Sequence, residues 1–464
     1  MDHFVDRKHE MEVLDREYQR PASSFVVVYG RRRTGKSTLI SQFCIEKPCI
    51  SFLTTEENDS QNRNAFRNAA SLFPGLEDLS HIFVDDWAVL FRMIIERADR
   101  ADRKLIIVMD EFQYLGKANP AFPSILMKIW DETLKSSNIM LILCGSLIRI
   151  MREQVLNYDS PLYGRRTAQI CLKQIPFRFY HEWNEQLSAE EQLMKYAVTG
   201  GVPKYIELFE DCQDIYEGIR QNILDKDSFL YAEPEFLFQK EVTGIGSYFS
   251  ILKVIALGSH RITEIASRLE TSASNLTKYL ETLIQLDVLK RDIPVTEKNP
   301  AKSKMGQYLI TDNFIRFWFT YVYPYKSLLE MDRTDYVLNR IRQHFTENHV
   351  SFVYEDICRE KIREMADTLP PFDKAGRWWN KNTEIDLVAY DSSGDSLLLG
   401  ECKYSANPKG MKVLEDLTIK ELELPFQCRK KTSYILFSKS GFTEELVRYA
   451  REQKNVYLVE GIPV

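Results

Sequence analysis

The residues with the clearest chemical potential form the stretch GRRRTGKS at positions 30–37, which matches the pattern G-x-x-x-x-G-K-[ST]. In such a loop, backbone N–H groups surround phosphate oxygens, a lysine reaches the β and γ phosphates, and a hydroxyl holds Mg²⁺. A chance match in a surface loop would lack the apolar strand before it and the helical pattern STLISQFC after it. The predicted ATP-binding residues here are Gly30, Arg31, Arg32, Arg33, Thr34, Gly35, Lys36, Ser37 and Thr38.

A second motif, LIIVMDEF at positions 105–112, is an apolar run that ends in two acids. Asp110 is predicted to hold the metal through its water shell, and Glu111 to polarise the attacking water. A strand end that carries acids only for solubility is the structural alternative. The next apolar run ends at Ser146, whose hydroxyl either senses the γ phosphate or simply closes a turn.

Two arginines in the stretch YGRR, Arg165 and Arg166, are candidates for an arginine finger. Phosphoryl transfer gains most from a cation that reaches the γ phosphate in the transition state. Paired arginines in a loop are also common as surface charge. A finger that acts in trans requires a homo-oligomer, and the sequence leaves the choice between cis and trans open.

The stretch LLLGECKYS at positions 397–405 places opposite charges at the end of an apolar run. A hairpin centred on the upstream turn signal DSSGD makes Asp386 face Glu401. It also makes Glu384 face Lys403, so the four side chains share one face. Two facing carboxylates destabilise a sheet unless a cation lies between them, and a divalent metal beside Lys403 is the simplest remedy. A one-residue slip would break this pairing, and a salt-bridged hairpin without metal is the alternative.

The elements that must position these residues can be read from four apolar runs of strand length, separated by amphipathic stretches. This order predicts a parallel sheet covered by helices on both faces. The runs are SFVVVYG (24–30), PCISFLTT (48–55), KLIIVMDEF (104–112) and NIMLILCGS (138–146). From about residue 171 to 290 the pattern is helical, and after about 330 it mixes helices with strands.

The region from 251 to 310 predicts a winged helix: three short helices followed by two strands around a polar wing. From Lys290 to Lys304, five basic residues stand against two acidic ones, a local balance of +3. A basic wing suits contact with the backbone of duplex DNA. A winged helix that packs inside the protein and responds to the nucleotide state is the alternative, and both stay open.

Length and composition limit these predictions. The 464 residues are enough for about three domains at ~150 residues each. The formal charge of −6 gives no general attraction to nucleic acid, so DNA contact requires a local basic patch. The charged N-terminal stretch is unlike a signal peptide, and no apolar run approaches the ~20 residues that span a bilayer. The eight cysteines form no CxxC pair. We therefore expect a reduced, cytoplasmic protein without a membrane partner.

Taken together, the P-loop, the Asp-Glu strand end and the polar end of the following strand resemble an AAA+-type ATPase. The opening FVDRKHEMEVL, with Phe4, Arg7, Glu10 and Leu14, is similar to the F-x-x-R-x-x-E-L box of the archaeal-type ATPases. That prokaryotic family is related to the STAND signalling ATPases. Met11 stands where the box usually has leucine, which is a conservative change for an apolar contact.

The stretch TGGVPKY at positions 199–205 resembles the G-x-P motif of the same clade, whose proline lies against the adenine. The resemblance implies that Pro203 and Arg7 belong to the ATP site. A proline that only starts a helix is the alternative for Pro203.

WWNKNTEIDLVA together with GECKY resembles the PD-(D/E)XK nuclease-like domain that is attached to these ATPases. The resemblance implies that Asp386 and Glu401 bind Mg²⁺ or Mn²⁺ and that Lys403 orients the water or stabilises the phosphate. It also implies that Glu355 supplies the acidic position of the first helix. Because many such domains are inactive, a fold that only binds DNA or a partner is the alternative. Trp378 and Trp379 are expected in the core.

The predicted fold is α/β: a P-loop AAA+-type parallel sheet with a helical lid, a winged helix and a C-terminal restriction-endonuclease-like domain. The predicted domains are residues 1–170 (ATPase core), 171–240 (lid), 241–325 (winged helix) and 326–464 (nuclease-like domain). The predicted function is ATP hydrolysis that controls a DNA-binding, metal-dependent nuclease domain. The alternative is a STAND-like regulatory switch with an inactive nuclease fold. The predicted metal ligands are Ser37 and Asp110 at the ATP site, and Glu355, Asp386 and Glu401 in the last domain.

Overall fold

The computed structural model describes residues 4–98, 103–426 and 432–463, which form two compact units. The first, called here the P-loop unit, contains the chain up to Ile175 with the segments Val202–Lys204 and Phe236–Thr243. The second, called the C-terminal unit, contains Pro176–Gly201, Tyr205–Glu235 and the chain from Gly244 onward. Within the described residues, no helix combines the length and the apolar character that crossing a bilayer requires.

The P-loop unit is built on a five-stranded sheet in the order β2-β3-β4-β1-β5, with every pair of neighbours parallel. All residues of β1 and β4 are buried, as expected for central strands covered on both faces. The strands are β1 (Ser24–Tyr29), β2 (Cys49–Leu53), β3 (Leu105–Asp110), β4 (Ile139–Gly145) and β5 (Ala168–Cys171).

Helices cover both faces of this sheet. On one face, Leu14, Leu39 and Phe43 pack against the β1 side chains Val26 and Val28. On the other face the contacts are aromatic, as in the pair Phe25 and Trp130, whose ring centroids are 5.0 Å apart. The helices are α1 (Lys8–Gln19), α2 (Lys36–Cys44), α3 (Asp59–Ser71), α4 (Trp87–Ala98), α5 (Gln113–Ala118), α6 (Phe122–Glu132) and α7 (Ile148–Met151).

The middle of the chain is helical, as the sequence predicts, apart from one short hairpin. The helices are α8 (Ala189–Thr199), α9 (Pro203–Glu207), α10 (Ile215–Ile219), α11 (Glu233–Gln239), α12 (Ile245–Ala256), α13 (Ile262–Arg268) and α14 (Ala273–Gln285). Two antiparallel strands follow, β6 (Leu289–Asp292) and β7 (Gln307–Ile310). Helices α12 to α14 and this hairpin therefore occupy the segment in which three helices and two strands are predicted.

The last part of the chain forms a second, mixed sheet in the order β12-β11-β10-β9-β8. Strands β8, β9 and β10 are antiparallel neighbours, whereas β10, β11 and β12 are parallel. Trp378 and Trp379 are buried, which confirms their predicted place in the core. The strands are β8 (Lys374–Trp379), β9 (Glu384–Tyr390), β10 (Leu397–Lys403), β11 (Ser433–Ser438) and β12 (Val456–Glu460). The helices are α15 (Asn313–Tyr321), α16 (Lys326–Glu330), α17 (Thr334–Phe345), α18 (Ser351–Glu364), α19 (Met411–Glu421) and α20 (Glu444–Glu452).

Candidate functional site

The loop between β1 and α2 has the conformation that its glycines permit. Gly35 has φ +88° at the N-terminal end of α2, a left-handed value that favours glycine. At Gly30, a Cβ atom would lie 2.3 Å from the carbonyl oxygen of Leu172, so no larger residue fits without a shift. The loop thus leads through a left-handed glycine directly into the N-terminus of α2, where unpaired backbone N–H groups favour an anion such as phosphate.

Lys36 and Ser37 stand at the start of α2. Lys36 is only 6% exposed, and its Nζ donates a hydrogen bond to the carbonyl oxygen of Arg31 over 2.7 Å. Burial lowers the pKa of Lys36, while the nearby acids oppose this shift. Ser37 Oγ donates to Asp110 Oδ2 over 2.8 Å, so the end of β3 meets the P-loop. A hydroxyl and a carboxylate at this distance are oxygen donors that suit Mg²⁺.

Glu111 follows β3 directly and is held from several sides. Its backbone has φ +54°, which is uncommon for a residue with a side chain and is often found at functional sites. Ser146 Oγ donates to Glu111 Oε2 over 2.7 Å, and the Gln113 amide donates to the same oxygen. Thr54 donates through its hydroxyl to the Glu111 carbonyl. Ser146 thus fixes the carboxylate of Glu111; its predicted role as a γ-phosphate sensor stays a prediction.

Arg7 connects the N-terminal box to the P-loop. It lies just before α1, is 5% exposed, and donates through Nη2 to the carbonyl oxygens of Thr34 (3.1 Å) and Lys173 (2.7 Å). Burial lowers the pKa of this guanidinium. Pro203 is the first residue of α9, and its Cγ lies 3.9 Å from the Cβ position of Gly35. Both features implied by the family resemblance therefore lie beside the P-loop.

Three further arginines predicted for this site have partners inside the P-loop unit. Arg32 donates to the Tyr114 hydroxyl over 3.0 Å. Arg165 binds Asp131 through two nitrogens, the shorter contact being 2.8 Å. Arg166 donates to the carbonyl oxygen of Leu156, and its guanidinium lies over a tyrosine ring. A role as a finger would require Arg165 or Arg166 to leave these contacts.

In the C-terminal unit, strands β9 and β10 pair in the register that the turn predicts, for example Leu387 with Gly400. Asp386 lies one residue beyond this pair, and its Oδ2 accepts from the backbone N–H of Cys402 over 2.9 Å. Glu384 differs from the prediction: its carboxylate binds Arg377 of β8 rather than facing Lys403. Glu384 has Arg377 as its partner because β8, which carries Arg377 and which the sequence pattern did not reveal, lies beside β9.

The carboxylates of this unit influence one another. Burial and the charge of Asp386 raise the pKa of Glu355, on α18, to about 8. Burial and the charge of Glu401 raise the pKa of Asp386. Glu401 has two cationic partners: Lys403 Nζ lies 2.6 Å from Oε1, and Lys420 Nζ lies 2.8 Å from Oε2. Lys420, on α19, was not predicted.

The described residues contain no group of three or more histidine, cysteine, aspartate or glutamate side chains arranged to hold a metal ion. The ligand set of Glu355, Asp386 and Glu401 stays a prediction. The charge of Asp386 acts on Glu355 and that of Glu401 acts on Asp386, while Lys403 and Lys420 bind the oxygens of Glu401.

The P-loop, the Asp-Glu end of β3 and the strand order define the first unit as a P-loop ATPase domain with an AAA+-like sheet. A family described as "ATPase domain predominantly from Archaea" matches residues 4–209. A second, described as "Archaea bacterial proteins of unknown function", matches residues 318–414.

The uncharacterized protein MJECL04 of Methanocaldococcus jannaschii is 33% identical over 422 residues, which cover 90% of each chain. The uncharacterized ATP-binding protein MJ0423 of that organism is 43% identical over 44 residues, 10% of this chain and 75% of that protein. Among solved structures, the Walker-type ATPase PABY2304 of Pyrococcus abyssi aligns with a TM-score of 0.51 at 20% identity, covering 68% of this chain and 96% of that one. The chain therefore belongs to the family of MJECL04, with an archaeal-type ATPase domain in its N-terminal half.

Proposed function

We propose that this protein binds and hydrolyses ATP at the P-loop. The observation that carries the proposal is the 2.8 Å contact between Ser37 and Asp110, because it brings the hydroxyl of the P-loop and the acid of β3 to one point. Lys36 would bind the β and γ phosphates. Glu111, oriented by Ser146, would accept the proton of the attacking water.

Ser37 and Asp110 would hold Mg²⁺, and the other residues of the loop would hold the phosphates. The metal, when bound, neutralises phosphate charge. Pro203 would lie against the adenine, since it stands beside Gly35. Arg165 and Arg166 stay candidates for a finger in cis or in trans, and a homo-oligomer is part of the second case.

The test of this proposal is ATP turnover by the full chain with Mg²⁺. Lys36→Ala should abolish phosphate release, because a neutral, short side chain cannot reach the β and γ phosphates. Lys47→Ala is a matched control, since Lys47 follows the end of α2 and contacts Phe43 rather than the P-loop. Equal turnover by the Lys36→Ala and Lys47→Ala proteins would rule out this site.

We further propose that the nucleotide state controls the C-terminal unit. Residues 241–325 would form a winged helix and residues 326–464 a PD-(D/E)XK-like domain, after a lid at 171–240. The order α18, β8, β9, β10, α19, β11 and the acids Asp386 and Glu401 support the nuclease-like assignment. The chain passes from the C-terminal unit into the P-loop unit and back at Val202–Lys204. A change in the nucleotide state would therefore be transmitted along the backbone at this segment.

Lys403 beside Glu401 belongs to the predicted nuclease-like site, so a cleavage assay must separate a C-terminal domain that cuts DNA from one that only binds it. The discriminating assay is DNA cleavage with Mn²⁺ by the wild type and by Asp386→Ala. No cleavage by either supports the regulatory switch with a binding domain. Cleavage lost in Asp386→Ala supports the nuclease, and cleavage by Lys36→Ala without nucleotide would exclude control by ATP.

A further inference from the structure

A cleft of about 370 Å³ lies within the C-terminal unit. Of the three carboxylates predicted as metal ligands in this unit, Glu355 belongs to the lining of the cleft, whereas Asp386 and Glu401 do not. Its walls come from α12 and the β6–β7 hairpin on one side and from α15, α18 and β8 on the other. The volume falls in the range of roughly 300–1,000 Å³ that is usual for small-molecule sites. Two lining residues have predicted roles, Lys290 in the basic wing and Glu355 at the nuclease-like site, whereas the rest of the lining has none.

The charge of the cleft is positive. Its lining contains four cationic side chains, Lys290, Arg316, Arg359 and Arg377, against the two carboxylates Glu355 and Asp356. Two of the cations share one acid, because Asp356 binds Arg359 over 2.6 Å and Lys290 at 3.8 Å. Arg377 is also paired with Asp292 and Glu384, which lie outside the lining, so Arg316 is the lining cation for which the described residues show no carboxylate contact. An anionic ligand is therefore the natural occupant.

Two of these guanidinium groups have buried nitrogens with unmet hydrogen-bonding capacity. Within the described part of the chain, Nε of Arg316 and Nε of Arg377 are buried and find no acceptor. The hydrogen bond that Arg316 donates from Nη2 to Oδ1 of Asn313 is long, at 3.5 Å. The two terminal nitrogens of Arg377 bind Asp292 and Glu384, so the larger shortage of acceptors is at Arg316. A buried charged donor without an acceptor is costly, and an anion such as a phosphate would supply acceptors to Arg316.

One wall of the cleft is apolar. It contains Leu257, Leu309 and Phe352, and the Arg316 guanidinium lies 5.7 Å from the centroid of the Phe352 ring. Phe352 and Leu257 are 46% and 53% exposed, so a flat ligand group could cover them. His260 is also in the lining, and burial lowers the pKa of its imidazole. The cleft thus combines a cationic end with an apolar surface.

We propose that this cleft is a second nucleotide site, which binds a nucleoside monophosphate with its phosphate on Arg316 and its base against Phe352. A small ligand fits better than a nucleic-acid strand. Backbone contacts to a strand use exposed lysines and arginines along a surface, whereas these arginines are largely buried in a concave site. The proposal does not depend on ATP hydrolysis at the P-loop or on DNA cleavage.

The test is AMP binding, measured by titration calorimetry on the full-length Lys36→Ala protein, in which the P-loop no longer competes. Adding Arg316→Met should weaken AMP binding by about 10- to 100-fold, the usual effect of losing a charged hydrogen bond. Arg268→Met, at an exposed arginine of α13 outside the cleft, is the matched control and should leave the affinity unchanged.

A second variant keeps the test valid if Arg316→Met does not fold. Lys290 is 46% exposed, so Lys290→Met should be tolerated and should weaken AMP binding by about 3- to 10-fold. Inorganic phosphate should bind at least about 10-fold more weakly than AMP, because it lacks a base to cover the apolar wall. Equal affinities for AMP and phosphate, or binding of a single-stranded oligonucleotide but not of AMP, would overturn the proposal. So would AMP binding that neither variant weakens.

Discussion

Arg7→Met is a direct test of how the N-terminal box supports the ATP site. Methionine is an unbranched side chain that fills much of the same space, but it has no guanidinium and so removes both hydrogen bonds to the carbonyls of Thr34 and Lys173. Each hydrogen bond from a charged donor contributes roughly 1.5–3 kcal/mol to stability. Because the cost of burying the guanidinium offsets part of this contribution, the variant should lose a net stability of about 2–4 kcal/mol. Because Thr34 belongs to the P-loop, the loss should loosen the loop itself.

The assay is the affinity for Mg²⁺-ATP, measured by calorimetry, together with hydrogen exchange of the loop amides. If half of the lost energy is felt in ATP binding, the affinity falls by about 5- to 30-fold at 1.4 kcal/mol per factor of ten. Faster exchange of the Thr34 and Gly35 amides should accompany it. The control is Arg16→Met, which removes an exposed arginine from α1, the helix that begins directly after Arg7. ATP affinity and exchange equal to those of this control would refute the role assigned to Arg7.

Three further predictions concern single residues. Ser146→Ala should lower the rate of ATP hydrolysis by about 10-fold while ATP affinity stays constant, since only the orientation of Glu111 is lost; weaker ATP binding would instead indicate contact with phosphate. Gly30→Ala should abolish ATP binding or destabilise the protein, because its Cβ would lie 2.3 Å from the Leu172 carbonyl; wild-type affinity and melting temperature would contradict this. Glu355 has its pKa raised to about 8 in the folded state, so folding keeps it protonated and the protein loses stability as pH rises from about 4.5 to 8. Glu355→Gln should therefore be more stable than the wild type at pH 8, by the order of 2–4 kcal/mol, but not at pH 4.5; a stability difference that is the same at both pH values would argue against the shift.

Strands with a continuous apolar run could be predicted from the sequence, including the edge strand β2, whereas short or partly polar strands could not. Strands β1 to β4 lie within the four apolar runs. For β1, β3 and β4 the reason is burial on both faces, which needs a continuous apolar segment, whereas β2 is an edge strand with alternate residues exposed. Strands β5 and β8 were missed. Each lies at the edge of its sheet, and their sequences AQIC and KAGRWW are short or partly polar. A strand that is short or partly polar lacks the continuous apolar run from which β1 to β4 were predicted.

The candidate sites show the same limit. Contacts that follow from local pattern were predicted, such as the β9–β10 register set by the turn. Contacts that depend on the packing of distant elements were not. Gln113 and Thr54 hold Glu111, and Lys420 binds Glu401 from α19. A lysine on an amphipathic helix gives no sequence signal that separates this contact from ordinary exposure to solvent.

Phosphate release from ATP by the wild type and by Glu111→Gln, with ATP affinity measured in parallel, tests the central claim most directly. The account predicts that the wild type hydrolyses ATP and that Glu111→Gln binds ATP with similar affinity but hydrolyses it about 10²- to 10⁴-fold more slowly, the usual contribution of a general base. Hydrolysis by Glu111→Gln at the wild-type rate would contradict it.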